Sequence, residues 1–213
     1  MSRLVLSTAY LPNVQYFRAL AQNNGVWIEQ WESFPKQSFR NRCQILTEAG
    51  PMSLSIPVVK ANSKQLTKDV RISYTENWQP KHWHAITSAY NSSPYFEYFR
   101  DDFWPFFSRR FDFLIDYNSQ LTKLIMDILG MKTKISLTDD YVDHKLLPLA
   151  ENQITDLRDT IHPKQAQTEG INYYTQKPYP QVFDCKIPFA GNMSIIDMVF
   201  NIGEETMWYL RAK

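Results

Sequence analysis

The chain has 213 residues, 44% hydrophobic and 21% charged, a composition that excludes disordered and fibrous classes and can bury a sizeable core without staples. Its 23 basic and 22 acidic residues leave a net charge of +1, so nothing asks for nucleic acid or an anionic membrane as partner. No apolar run approaches the roughly 18 residues of a membrane span, the first residues lack the apolar core of a signal peptide, and Cys43 and Cys185 make no disulfide framework; a reduced, cytoplasmic, soluble protein is expected.

In chain order, residues 3–7 (RLVLS) suit a buried strand. Pro12 is placed to open a helix that runs to Gln22, and Gly25 in Asn23-Asn24-Gly25 reads as its left-handed stop. Residues 26–30 (VWIEQ) read as a second strand. Residues 41–48 and 52–59 read as two strands about a Gly50-Pro51 turn. In the second, Met52, Leu54, Ile56 and Val58 alternate with polar residues and Pro57, which predicts one buried face and an edge or bulge at the proline. Residues 70–74 (VRISY) are a further candidate strand.

Pro80 predicts the start of a helix that ends at Ser92-Ser93-Pro94. From Tyr95 to Tyr117, 11 of 23 residues are aromatic, and Pro105 there separates two helices or kinks one. Leu114, Leu121, Leu124, Ile125, Ile128 and Leu129 form the core stripe of a helix that Gly130 ends, with a short strand after it. Residues 139–181 are polar and carry Pro148, Pro163, Pro178 and Pro180, which predicts a loop-rich segment. A Ser194-capped helix, a break at Gly203 and a last amphipathic turn or two complete the chain. The expected fold is α/β or α+β: one domain over 1–213, with a mixed β-sheet from the N-terminal part and packed helices.

The densest polar cluster is Lys36-Gln37-Ser38-Phe39-Arg40-Asn41-Arg42. If 38–44 is extended, Ser38, Arg40 and Arg42 face one way, and the arginines would repel unless an anion or carboxylates sit between them; their forks suit carboxylate or phosphate. The competing reading is a solvated edge strand whose charges deter aggregation. In Lys81-His82-Trp83-His84, a helix sends the two histidines different ways, and no HExxH or CxxC supplies further ligands, so neither a metal nor another cofactor is expected. Either histidine could be a general base. His84 aligns with Ser88 one turn later and is the better candidate, whereas His82 falls in the first turn among exposed neighbours; against both stands a core histidine bonded to backbone. Cys43 alternates away from Arg42, into the core, which disfavours a nucleophile. Most rings of 95–117 read as core, and Tyr90, Tyr95 and Trp104 as better candidates to line a pocket. Glycine numbers only 6, and no GxGxxG or GxxxxGK[ST] is present.

In Thr8-Ala9-Tyr10-Leu11-Pro12, Gln15-Tyr16-Phe17, Lys36 to Arg42, Leu54-Ser55-Ile56-Pro57-Val58, Tyr179-Pro180-Gln181-Val182-Phe183 and Ser194-Ile195-Ile196-Asp197 with Phe200, Asn201 and Gly203, the chain resembles the WbqC-like protein family. Many relatives carry Gln-Pro where this chain has Thr8-Ala9. The resemblance implies a bacterial protein, from among genes for O-antigen and other surface polysaccharides. It implies a transferase of an acyl or aminoacyl group to an amino sugar, and a nucleotide-activated sugar as the small-molecule substrate. On that view Lys36, Arg40 and Arg42 would hold phosphates or a carboxylate. His84 or His82 would take the amine proton, Asn41 and Gln15 would orient the substrate, and Tyr10 and Tyr90 would line the site. The alternative is a non-catalytic ligand-binding or accessory protein of the same pathway, and it gains if neither histidine lines the arginine pocket. The oligomeric state is left open.

Overall fold

A computed structural model describes residues 3–35, 37–59, 64–143, 154–162 and 176–212. The first strand, β1 (Arg3–Ser7), places Leu4, Val5 and Leu6 in the core at 1% exposure or less. A strand buried on both faces is the mark of a parallel sheet. The helix α1 (Val14–Ala21) follows, capped by the Asn13 side chain, which accepts from the Tyr16 amide. Pro12 therefore lies just outside the helix. Gly25 is not its stop: the helix ends at Gln22 in right-handed geometry, and Gly25 opens β2 (Gly25–Glu29).

The hairpin β3 (Arg42–Thr47) and β4 (Gly50–Ser55) pairs Arg42 with Ser55 through to Thr47 with Gly50. The turn is Glu48-Ala49 and not the expected Gly50-Pro51; Gly50 opens β4 opposite Thr47 and takes φ 99°, a conformation that L side chains resist. The hairpin forms its own sheet. In β3, Cys43, Ile45 and Leu46 are buried, whereas β4 is the outer strand and buries only Leu54. The expected alternation holds at Leu54 and Ile56, while Met52, beside the turn, is 44% exposed. Residues 70–74 make isolated bridges, Val58 to Ile72 and Arg71 to Phe113, and no strand.

Helix α2 (Trp78–Tyr90) begins two residues before Pro80, whose missing amide is tolerated in a first turn. Helix α3 (Phe96–Ser108) keeps Pro105 inside one continuous element, and α4 (Leu114–Ile128) follows. The strand β5 (Lys134–Leu137) then pairs with β2, and β6 (Ile154–Asp156), from the loop-rich stretch, pairs with β1. Residues 144–153 and 163–175 of that stretch lie outside the described residues. Helix α5 (Ile195–Ile202) and α6 (Thr206–Arg211) close the fold. Gly203 breaks the chain between them at φ 54°, and a Cβ there would stand 2.7 Å from the Tyr95 ring. No helix among the described residues is long and apolar enough to cross a membrane.

The class is mixed α/β. The main sheet is parallel, in the order β5-β2-β1-β6, and it gathers strands from both halves of the chain instead of the N-terminal part alone. From β1 the chain passes through α1 to β2 and on towards β5, while β6 lies on the other side of β1. The order thus reverses between β1 and β6, and the crevice beyond the carboxyl ends of strands at such a point is where open α/β sheets bind ligands.

Candidate functional site

Two depressions meet at that edge. A narrow crevice lies between the ends of β1 and β6, lined among others by Ser7, Thr8, Arg40, Leu157 and Arg158, with about 10 Å³ of open space. It adjoins a cleft of about 460 Å³ between α4 and the β2–β5 side of the sheet. Thr8, Ala9 and Tyr16 line both. Of these two, the cleft has room for a metabolite and the crevice does not.

The cleft has one polar and one apolar wall. Asn118, Ser119 and Thr122 of α4 stand on one side, at spacings that a helix brings to neighbouring positions. Ile28, Ile135, Leu137 and Met126 supply apolar surface. Thr8, Asn118 and Thr122 are buried, whereas Asp116, Lys123, Asp127 and Lys132 are exposed and form the rim. Lys123 and Asp127 pair at 3.0 Å, one turn apart on α4. Asp116 has no ion-pair partner among the described residues.

Arg40 sits beneath this edge in a closed network. Its Nε and Nη2 donate to the two carboxylate oxygens of Glu32 at 2.8 and 2.6 Å, and Nη2 also donates to Ser7 Oγ at 2.7 Å. The Asn118 amide donates to the Arg40 carbonyl at 2.8 Å and meets Thr8 Oγ1 at 3.1 Å. Tyr16 donates to the Ser7 carbonyl at 3.0 Å, and burial, then Glu32, push its hydroxyl pKa up. Beside the crevice, Arg158 forks onto Asp156 at 3.0 and 2.6 Å and reaches Glu29 at 3.4 Å. Burial alone would lower the Arg158 pKa, but Asp156 and Glu29 outweigh it and hold the guanidinium charged. Glu29 is fully buried and also accepts from Trp31 N, Thr138 Oγ1 and Val142 N.

The sequence-predicted residues scatter. Among those within the described residues, Arg40 alone reaches the crevice, and its charge is already met by Glu32. Residues 38–44 are not one extended strand. Gln37 takes φ 59°, Ser38 Oγ donates to the Pro35 carbonyl at 3.3 Å, and the chain turns before β3 begins at Arg42. Strand alternation therefore does not apply to Arg40 and Arg42: Arg40 turns onto the chain's own Glu32, while Arg42 opens β3 with its Nε buried and without a hydrogen-bond partner among the described residues. Lys36 lies outside the described residues. Asn41 donates to the Ile56 carbonyl at 2.9 Å, and the Gln15 amide is held by Asn192.

The histidines fall opposite to expectation. Because α2 begins at Trp78, His82 lies one turn after Trp78, on the buried face with Ile86. It is 6% exposed, its Nδ1 lies 2.9 Å from the Tyr10 hydroxyl, and its ring stacks on Tyr10. Burial lowers its pKa to about 4, opposed by a hydrogen bond to the Ser55 backbone. It is a satisfied core histidine. His84 and Ser88 do share a face, but that face is exposed, and neither histidine lines the cleft or crevice. Tyr90 is buried, accepts from the Leu46 amide at 3.1 Å, and lies against Asp197; burial, then Asp197, raise its pKa. Tyr95, at the start of α3, and Trp104 on it are exposed, and Trp104 lines a shallow depression with Trp83, Arg100 and Asp101. Both cysteines are free, Cys43 buried and Cys185 exposed. Among the described residues, no three His, Cys, Asp or Glu side chains converge as metal ligands.

Asn118, Ser119, Thr122, Thr8 and Tyr16 escaped the sequence reading. A usable signal was present: Asn118 and Thr122 are polar residues four apart inside the apolar stripe of α4, and Thr8 stands just beyond the apolar Leu4-Val5-Leu6 run of β1.

Comparison with known proteins agrees over almost the whole chain. The profile of the WbqC-like protein family matches residues 8–209. An uncharacterised protein of Mycobacterium tuberculosis, Rv1507c, is 25% identical over 230 residues, covering 97% of this chain and 96% of its own. No solved structure matches.

Proposed function

We propose the following reading for this chain, which belongs to the WbqC-like protein family: it binds an amino sugar in the cleft that runs between α4 and the sheet from the carboxyl end of β1 to the residues before β5, as a ligand-binding or accessory component of bacterial surface polysaccharide synthesis. One observation carries the reading. The cleft of about 460 Å³ sets the Asn118–Ser119–Thr122 wall against an apolar wall of Ile28, Ile135 and Leu137. A pyranose has the same two-sided character, hydroxyls around its edge and C–H groups on its faces. The unpaired Asp116 on the rim suits the ammonium of an amino sugar.

The phosphates of a nucleotide carrier find less support. A helix amino terminus after the first strand of such a sheet commonly cradles phosphate. Here the amides of the first turn of α1 are taken: Val14 donates to the Met193 carbonyl, Gln15 to Asn192, Tyr16 to Asn13 and Phe17 to the Asn13 carbonyl. Transfer of an acyl or aminoacyl group to the bound amine is the second reading. It rests on Asp116, a carboxylate on the rim placed to take the proton that the amine loses as its nitrogen bonds to the carbonyl carbon of an activated acyl donor, whose bond to its carrier breaks and releases the carrier as the leaving group.

Calorimetry with glucosamine, N-acetylglucosamine and their UDP-linked forms tests the first reading. Saccharide binding is expected, with little gain from UDP. Ser119→Trp, an exposed position on the cleft wall, should abolish it, and His84→Ala should not change it. No binding, or binding indifferent to Ser119→Trp, sinks the reading. A mass gain on glucosamine in the presence of an activated acyl donor, removed by Asp116→Asn, would establish the second.

A further inference from the structure

Asn118 is 1% exposed, and its amide is only half satisfied. The orientation of that amide is fixed, because the Arg40 carbonyl 2.8 Å away can only accept, so the atom facing it is Nδ2. The second Nδ2 hydrogen goes to Thr8 Oγ1 at 3.1 Å. Oδ1 is left, enclosed and without a donor. Buried polar groups in folded chains almost always have a partner, and an orphan costs on the order of 1–3 kcal/mol. Asn118 and Thr8 both line the cleft.

Thr8 supplies the complementary half. Its hydroxyl oxygen is occupied by Asn118 Nδ2, so its own proton has no acceptor among the described residues. An unmet acceptor and an unmet donor thus stand side by side on two residues that touch. Thr122 lies one turn beyond Asn118 on the same face. Helical side chains lean towards the amino terminus, so the Thr122 side chain covers the turn that holds Asn118. A ligand group reaches the enclosed Oδ1 only if a neighbouring side chain shifts, and Thr122 is placed one turn away to do so.

We infer that Asn118 and Thr8 together determine specificity in this cleft: Oδ1 accepts from, and the Thr8 hydroxyl donates to, one hydroxyl or amide of the ligand. The inference deepens the saccharide reading and rests on it. A hydroxyl donates and accepts at once and satisfies both residues. An ammonium has no lone pair for Thr8, so the amine of an amino sugar belongs at the rim, with a ring hydroxyl at Asn118. A methylene in its place meets neither residue.

The test is a deoxy scan. Binding of glucosamine and of its 3-, 4- and 6-deoxy analogues is measured by calorimetry for the wild type, Asn118→Leu and Ser119→Trp. One deoxy position should weaken wild-type binding about tenfold, as loss of one net hydrogen bond implies, and by less than about twofold in Asn118→Leu. If Asn118→Leu does not fold, the side-chain amide resonances of Asn118 in labelled wild-type protein replace it. They should move with glucosamine and not with the analogue that lacks the critical hydroxyl. Equal wild-type affinities for all four sugars, with Ser119→Trp still blocking them, overturn the inference and leave the saccharide reading standing. Discrimination retained in Asn118→Leu, or amide resonances indifferent to glucosamine, overturns it too. No binding by any sugar overturns both.

Discussion

His82 makes stability depend on acid in a calculable way. The ring is 6% exposed, between Tyr10 and Trp78, and its pKa is lowered from 6.5 to about 4, chiefly by burial. An unfolded chain takes up a proton near pH 6.5; the folded chain resists until about pH 4. The unfolded state therefore binds more protons in that window, and stability falls as pH falls. The contribution is fully present above pH 6.5 and is gone below about pH 4. At 1.36 kcal/mol per pH unit the loss approaches about 3 kcal/mol. Carboxylates titrate in the lower part of the window, so the wild type alone would not isolate it. Urea denaturation of wild type and His82→Gln at half-unit steps from pH 7.5 to 4 does. The variant should be less stable at pH 7, because it loses the Tyr10 contact, and the gap should narrow by about 3 kcal/mol towards pH 4. A gap constant across the series would refute the burial argument, as would an NMR titration of His82 near 6.5.

Other consequences follow from particular pairs. Glu32→Gln leaves the Arg40 guanidinium short of a charge partner where the two side chains are 7% and 11% exposed; breaking such a pair costs about 3 kcal/mol, or roughly 6–12 °C in Tm. Adding Arg40→Met should recover part of that loss, and a Glu32→Gln protein as stable as wild type would show the pair to be screened. Thiol titration should modify exposed Cys185 fast and buried Cys43 only in denaturant, since burial pushes the Cys43 pKa far up; rapid loss of both thiols in native buffer would contradict this.

Legibility in the sequence depended on the range of the signal. The β3–β4 hairpin was readable, with its turn placed two residues late and its alternation true at Leu54 and not at Met52, because the paired runs are adjacent in the chain, and the helices because their apolar stripes are local. The partners of β1 were not: β6 pairs with it from about 150 residues away, as three residues in a polar stretch with no period of its own. The Arg40 site failed for a related reason. Alternation placed Arg40 beside Arg42, but the turn through Gln37 brings it back onto Glu32, and a turn of that kind carries no proline-glycine signature. The histidines were misassigned by two residues of helix boundary. Starting α2 at Pro80 puts His82 in a frayed first turn, whereas starting it at Trp78 puts Trp78 and His82 one turn apart on the core face.

The stretches that carry the family likeness prove to be seams. Leu11, Pro12, Asn13 and Val14 are welded to the start of α5: Ser194 Oγ donates to the Leu11 carbonyl at 2.9 Å, the Ile195 amide to Pro12 and the Val14 amide to Met193. Tyr179 and Gln181 converge with their side chains on Asp197, and burial raises the pKa of that carboxyl even as both bonds stabilise its charge. The Tyr10 amide is tied to the Phe39 carbonyl, and the Asn118 amide to Arg40. Each tie joins segments far apart in sequence at a buried polar contact, where a substitution would strand a donor or acceptor away from water. These residues therefore hold the loop after β1 and the turn before β3 in fixed relation to α4. That relation gives the cleft its shape, so the motifs mark the frame of the cleft, whereas Asn118 and Thr122, which line it, lie between motifs on an ordinary amphipathic helix.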